Sequence, residues 1–193
     1  MKQLPEIKVE IERLAKLIDA NEDQLPTYGV SEQSGRPHIE VDDLGYHYVN
    51  AERGHEFKRL TTWELDQLLY AVFQAVTFRL AINFELRHRI EGKDCRRLAF
   101  QKQIELLSVF PHKWDECRSN EISEILKDHP FDDNRSARAT FWGQLRKQGC
   151  SPEEIWKIAG EKYPPPEGWT LEPMGGLKRE SENHSEATNS ATV

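Results

Sequence analysis

The stretch from Thr61 to Glu91 constrains the fold more than any other part of the chain. Thr61 and Glu64 have the spacing of a capping box, in which each side chain bonds the other residue's free backbone N–H at the start of a helix. Apolar residues then recur every three or four positions along two stripes. These are Leu65, Leu69, Val72, Val76, Leu80 and Phe84, and then Ala71, Ala75, Phe78, Ile82, Leu86 and Ile90. Because such a helix is apolar on most of its circumference, we predict a buried central helix over 61–91.

The segments before this helix show other periodicities. Over residues 5–20 the apolar side chains share one helical face, which predicts an N-terminal helix. Residues 38–42 alternate polar and apolar, as a half-buried strand does, and the aromatic segment 46–49 is the natural antiparallel partner. A third strand completes a small β-meander over 38–60, which we expect to pack on the central helix.

The chain after the central helix predicts further helices and then a tail. Helical patterns bounded by proline and glycine occupy 94–163, and Ser151-Pro152-Glu153-Glu154 is a strong start signal for the last helix. Residues 167–193 are mostly polar, so we expect a largely disordered C-terminal tail. The sequence therefore predicts an α+β fold with a single domain over 1–166: an N-terminal helix, a small antiparallel meander and a mainly helical bundle around the central helix.

Charge and cysteine content limit the possible partners. The formal net charge of −7 disfavours generic binding to nucleic acid or to an anionic membrane, because phosphates would be repelled. Arg79 and Glu85 in the central helix disfavour a membrane span. The three cysteines are widely spaced and the N-terminus lacks an apolar signal-type segment, so we expect a cytoplasmic protein without a disulfide framework. No cofactor is indicated.

Polar residues on one side of the predicted first strand admit two interpretations. His38, Glu40 and Asp42 occupy alternate positions and so share a face, which His47 on the partner strand can join. Two carboxylates with imidazoles are suitable ligands for a divalent metal, and the protein would then be a metal-dependent hydrolase. The same alternation is typical of a solvated sheet face, and we favour that interpretation.

Other functional motifs are weak or missing from the sequence. It contains no GxSxG, HExxH, Walker or GxGxxG motif, so we predict no enzyme and assign no catalytic or metal-binding residue. Two helices around Gly149 have the length of a helix-turn-helix regulator. Glu153 and Glu154 would then meet the phosphates of DNA, which favours a plain helical hairpin. The basic residues on either side of Gly92 are expected to pair with nearby acids.

Part of the sequence resembles a known family. The segments Arg36-Pro37-His38-Ile39-Glu40-Val41-Asp42, Gly45-Tyr46-His47-Tyr48-Val49 and Glu52-Arg53-Gly54-x-Glu56 resemble the bacterial immunity protein 63 family of polymorphic toxin systems. The resemblance continues through Thr61-Thr62, Asp66-x-Leu68-Leu69-Tyr70 and Glu85-x-x-x-Arg89 to His129-Pro130-Phe131-Asp132-Asp133. It implies a cytosolic protein that binds a cognate toxin and neutralises it by stoichiometric inhibition. It brings no established catalytic residues.

The acidic residues around the predicted sheet indicate where such a toxin would bind. The candidates are Glu40, Asp42, Asp43, Glu52 and Glu56. Toxins that cut nucleic acids have basic clefts, so an acidic surface would steer association with a nuclease-like toxin. Tyr46 and Tyr48 point to one side of the partner strand. They are either interface anchors or, as we favour, part of the face that packs on the central helix.

Overall fold

The computed structural model describes residues 1–172 and 177–179. The chain forms two compact units. The first contains residues 1–88 and 99–121, and the second contains 89–98 and the described residues from 122 onward. An N-terminal helix, a four-stranded sheet and several helices follow one another, so the fold is α+β, as predicted.

The first unit begins with a helix and the sheet. Helix α1 spans Leu4–Ala15, and the strands are β1 (Thr27–Tyr28), β2 (His38–Asp42), β3 (Gly45–Glu52) and β4 (His55–Thr62). Strands β2, β3 and β4 form the predicted antiparallel meander. The sequence did not indicate β1, which pairs with β2 in parallel, because a two-residue strand is too short to produce a periodicity.

Glycine conformation shapes the two ends of β3. Gly45 has φ +123°, and a Cβ built there would lie 2.6 Å from the carbonyl oxygen of Thr62, so β4 approaches too closely for any other residue. At the other end Arg53 and Gly54 have φ values of 50° and 82°, as a two-residue type I′ hairpin requires. Phe57 has no partner in the β3–β4 pairing and marks a β-bulge in the edge strand.

The central helix, α2, spans Leu65–Arg87 and is shorter at both ends than predicted. The predicted capping box is wrong, because Thr61 lies in β4 and its hydroxyl hydrogen-bonds His47. Strand pairing continues as far as Thr62, so the helix begins only after it. Near the helix start, Thr62 Oγ1 accepts a hydrogen bond from the backbone N–H of Glu64 at 3.0 Å.

The burial of α2 is one-sided. Leu69, Val72 and Val76 of the first predicted stripe lie in the hydrophobic core with side chains from α1 and the sheet. In the second stripe Phe78 and Leu86 are exposed, so the prediction of burial on most of the circumference is wrong. The physical reason is layer packing, since a sheet covers only the helix face that lies on it.

In the part of the chain that the structure describes, α2 is the one helix long and apolar enough to span a membrane, by length and composition only. Its inner side chains belong to the protein core. The Phe73 ring lies 4.7 Å from that of Phe110 and 5.8 Å from that of Trp114. Helix α2 is therefore the core helix of the first unit. Core helices of soluble proteins can be as long and as apolar as a membrane span.

Four further helices and two short strands follow α2 in the described part of the chain. They are the helices α3 (Cys95–Leu107), α4 (Trp114–Asp128), α5 (Arg135–Lys147) and α6 (Pro152–Lys162), and the strands β5 (Trp169–Leu171) and β6 (Leu177–Arg179). The predicted start of α6 is confirmed: Ser151 Oγ accepts from the backbone N–H of Glu154 at 3.3 Å, and Glu154 Oε2 accepts from the backbone N–H of Ser151 at 2.9 Å.

The predicted tail over 167–193 is described only in part. Strands β5 and β6 pair antiparallel, so this part of the segment is regular rather than disordered, because the two short strands satisfy each other's backbone hydrogen bonds. The remainder of the predicted tail, 173–176 and 180–193, lies outside the described residues. The domain boundaries at 1–166 and 167–193 stay a prediction.

Candidate functional site

The strand register places the predicted acidic residues of β2 on the outer face of the sheet. The inner face carries Ile39, Tyr46 and Tyr48, which are buried in the hydrophobic core, as favoured for the two tyrosines. Residues at alternate positions lie on the opposite face. The three rows of this outer face are Asp42 with Gly45, Glu40 with His47 and Thr61, and His38 with Val49 and Arg59.

Glu40 joins two neighbouring side chains on this face. Its Oε1 lies 3.0 Å from His38 Nε2, and its Oε2 accepts a hydrogen bond from Arg59 Nη1 at 2.8 Å. Arg59 also donates to Glu56 Oε2 through Nη2 at 2.8 Å. Burial raises the pKa of Glu40, but the hydrogen bonds from Arg59 and His38 outweigh it and hold that pKa below its ordinary value. Two of the five predicted carboxylates therefore share one guanidinium.

His47 links the β2–β3 turn to β4. Its Nε2 lies 2.8 Å from Asp42 Oδ1, and its Nδ1 lies 2.9 Å from Thr61 Oγ1. Because a carboxylate only accepts, His47 Nε2 carries the hydrogen in this pair. The hydrogen bond from His47, with another from the backbone N–H of Leu44, holds the pKa of Asp42 below its ordinary value. The Asp42 carboxylate is therefore ionised and fixed in position at the protein surface.

These contacts do not support a metal-dependent hydrolase. His38 and His47, at 4% and 2% exposure, direct their Nε2 atoms to different carboxylates. Among the described residues no group of three or more His, Cys, Asp or Glu side chains is arranged to hold a metal ion. Arg59 also lies against Glu40, where its positive charge would oppose a bound cation. The four predicted ligands instead hydrogen-bond neighbouring residues of the outer face. Because His38 and His47 are buried, the favoured interpretation of a solvated face is wrong for the two histidines.

The structure divides the five predicted carboxylates between different places. Asp42 and Asp43 lie at the β2–β3 turn, Glu40 and Glu56 lie beside Arg59, and Glu52 lies at the far end of β3. At ~3.3 Å per residue, the two ends of this eight-residue strand are roughly 23 Å apart. Glu52 also has Arg53 within 3.6 Å. The five carboxylates therefore do not form one continuous patch, and their contact with a toxin stays a prediction.

In the second unit, arginines pair with Asp132 and Asp133, the last two residues of the family resemblance. Asp132 and Arg138 form an ion pair in which both residues are almost fully buried. Asp133 accepts hydrogen bonds from Arg97 Nε at 2.8 Å and from the backbone N–H of Asp94 at 2.9 Å. These contacts, that of Arg97 first, hold the pKa of Asp133 well below its ordinary value. The acids therefore have a structural role within this unit.

The two helices around Gly149 form the predicted hairpin, with Gly149 at φ +87°. The leading end of α6 is occupied by its capping box. Hydrogen bonds from Ser151 hold the pKa of Glu154 below its ordinary value. A fixed carboxylate at this helix end would repel a DNA phosphate, so the structure gives no support to a helix-turn-helix regulator.

Sequence reasoning missed two exposed apolar residues at the turn end of the sheet. Leu44 and Trp63 are each 67% exposed. A Cβ built on Gly45 would lie 3.6 Å from Trp63 Cδ2, an ordinary van der Waals distance, so the indole lies directly beside Gly45. The signal in the sequence is that Trp63 belongs to neither apolar stripe of the predicted helix.

Comparison with known families identifies one segment of the chain. The family model described as Immunity protein 63 matches residues 42–124, in agreement with the resemblance seen in the sequence. The matched segment includes the β2–β3 turn, β3, β4, α2 and α3. The family description implies an immunity protein of a toxin system. No match to the chain was found among curated proteins or solved structures.

Proposed function

We propose that this protein, which carries an immunity protein 63 segment at residues 42–124, binds a cognate bacterial toxin and neutralises it. The observation that carries the proposal is the position of the family match. The matched segment supplies β3, β4 and α2, and with them most of the outer sheet face. The carboxylates of Asp42 and Asp43 at the β2–β3 turn suit a partner of positive charge, such as a nuclease-like toxin with a basic cleft.

Inhibition is stoichiometric in this proposal. His38 and His47 each hydrogen-bond a neighbouring carboxylate, and Arg59 bonds both Glu40 and Glu56 on the same face. Such internal pairing holds side chains in fixed positions before the partner arrives, which lowers the entropic cost of binding. In this proposal the surface is a preformed binding site, and one inhibitor molecule neutralises one toxin molecule.

The proposed site of action is the cytosol of the toxin-producing cell and its kin. The cysteines at positions 95, 117 and 150 are unpaired, which suits a reducing compartment. A toxin that acts on intracellular targets would be met there by the inhibitor.

The test begins with the neighbouring reading frame, where we expect a large secreted protein whose variable C-terminal domain is the toxin, and uses that domain as the candidate partner. We expect co-expression to restore growth, and we expect light scattering after gel filtration to show a complex of the two chains. Titrating the toxin's activity with the inhibitor should give an end point at equal molar amounts. Absence of both complex and protection would refute the proposal. Loss of toxin activity at a small fraction of the toxin concentration would show catalysis instead.

A further inference from the structure

The turn end of the sheet combines exposed apolar side chains with carboxylates. We define the turn-end patch as Asp42, Asp43, Leu44, Trp63 and Glu64, all of which are exposed. An indole that is 67% exposed is unfavourable in water, and large exposed apolar side chains next to polar ones mark interaction sites. Tryptophan is also among the residues that contribute most to binding when a partner buries it.

The position of Trp63 is set by the sheet. Strand pairing ends at Tyr46 and Thr62, and the next residue, Trp63, lies beside Gly45, with its Cδ2 3.6 Å from the place of a Gly45 side chain. Gly45 itself cannot be replaced without displacing the β4 backbone. The ring therefore lies beside Gly45 in the Asp42 row, and at 67% exposure it is open to a partner.

The chain segments that form the patch carry negative charge, while Lys113 comes from the segment whose neighbours His112 and Trp114 contact Asp66 at the start of α2. No lysine or arginine occurs in residues 41–52 or 60–78, which contain the whole patch. Asp42 is kept ionised by His47, as described above. Lys2 reaches the same end from the inner face, where its backbone N–H donates to the Tyr46 hydroxyl at 2.8 Å. In contrast, Glu40 and Glu56 have Arg59 between them.

The far end of the sheet serves as a comparison. Phe57 is 68% exposed, much as Trp63 is, but its neighbours in the strand and hairpin include Arg53 and Lys58. Mixed charge there gives no electrostatic preference for a basic partner. The bulge at Phe57 also interrupts the regular edge, which is how natural sheets limit unwanted pairing.

We infer that the turn-end patch is the anchor of the toxin-binding surface. This inference rests on the proposed function. The partner presents lysine and arginine side chains around an apolar recess that admits the Trp63 indole and the Leu44 side chain. The aromatic anchor supplies slow dissociation, and Asp42, Asp43 and Glu64 supply fast, salt-dependent association.

The test compares matched substitutions at the two ends of the sheet, and its probe is the candidate toxin domain that the test of the proposed function uses. Trp63→Ala should weaken binding by roughly 30-fold or more, mostly through faster dissociation, whereas Phe57→Ala should change it by less than about 3-fold. Asp43→Lys should slow association by about tenfold at low salt, and Glu52→Lys should leave it nearly unchanged. Asp43 is used because a change at Asp42 would also remove a hydrogen bond of buried His47.

The outcomes separate the two proposals. If the wild-type protein neutralises the toxin but Trp63→Ala and Asp43→Lys bind it as tightly and as fast as wild type, the anchor is elsewhere and only this inference fails. Loss of binding in Phe57→Ala instead would place the anchor at the far end and also refute the inference. If wild type forms no complex with the toxin, the proposed function fails, and the inference fails with it. Circular dichroism of each variant confirms that the fold is retained.

Discussion

The change Asp132→Ala leaves the Arg138 guanidinium buried without a counter-charge. Asp132 is 4% exposed and Arg138 is 6% exposed, so water cannot replace the lost carboxylate. Arg138 would keep the hydrogen bond from Nη1 to the carbonyl oxygen of Tyr163 at 2.8 Å. Breaking a buried ion pair from one side costs about 3–5 kcal/mol, and we expect Asp132→Ala to lower the free energy of unfolding by this amount.

Removing both charges should cost less than the two single changes together. Arg138→Met alone leaves the Asp132 carboxylate buried and unpaired, again at a cost of about 3–5 kcal/mol. In the double variant neither charge remains, so the main losses are packing, the hydrogen bond to Tyr163 and the one that Asp132 accepts from the backbone N–H of Asn134, about 1–3 kcal/mol in total. The double-mutant cycle should therefore show a coupling energy of at least about 2 kcal/mol between the two positions.

Urea unfolding followed by circular dichroism measures these free energies, and hydrogen exchange of residues 135–147 reports on α5 directly. Asp128→Ala is the matched control, because Asp128 is an exposed aspartate in the same unit with a long 3.8 Å contact to Arg179. We expect it to change stability by less than about 0.5 kcal/mol. A cost below about 1 kcal/mol for Asp132→Ala, or additive effects in the cycle, would refute the reasoning.

Two further changes test other parts of the structure. Gly45→Ala forces a Cβ to within 2.6 Å of the Thr62 carbonyl oxygen at φ +123°, so it should lower stability by about 1–3 kcal/mol, and an unchanged urea midpoint would contradict this. Asp133 has a lowered pKa in the folded protein, so its stabilising effect is present above the unfolded value of about 4 and is lost as the pH falls through the lower folded value. Asp133→Asn should therefore reduce the decrease in urea midpoint between about pH 5 and pH 2, and an equal decrease in both proteins would argue against it.

The sequence by itself determined the elements whose signals are local. The start of α6 was predictable because Ser151 and Glu154 bond each other within one turn. The meander was predictable because the alternation of polar and apolar residues over 38–42 indicates a strand, and glycines that adopt positive φ, Gly45 and Gly54, lie at its turns. The resemblance to the immunity protein 63 family was also visible in short segments, several of which lie within the match over 42–124. Each of these signals lies within a few positions of the residue that it describes.

Only the tertiary structure decided which side chains are available for binding. Thr61 was predicted as a helix cap, but pairing with β3 brings it to His47, 14 residues away, and its hydroxyl is used there. Arg59 hydrogen-bonds Glu40, which lies 19 residues away in the sequence, and a charge count along the chain does not reveal this contact. Trp63 is exposed because the sheet ends beside it. Burial and pairing depend on register and layer contacts between distant segments, and a local pattern contains neither.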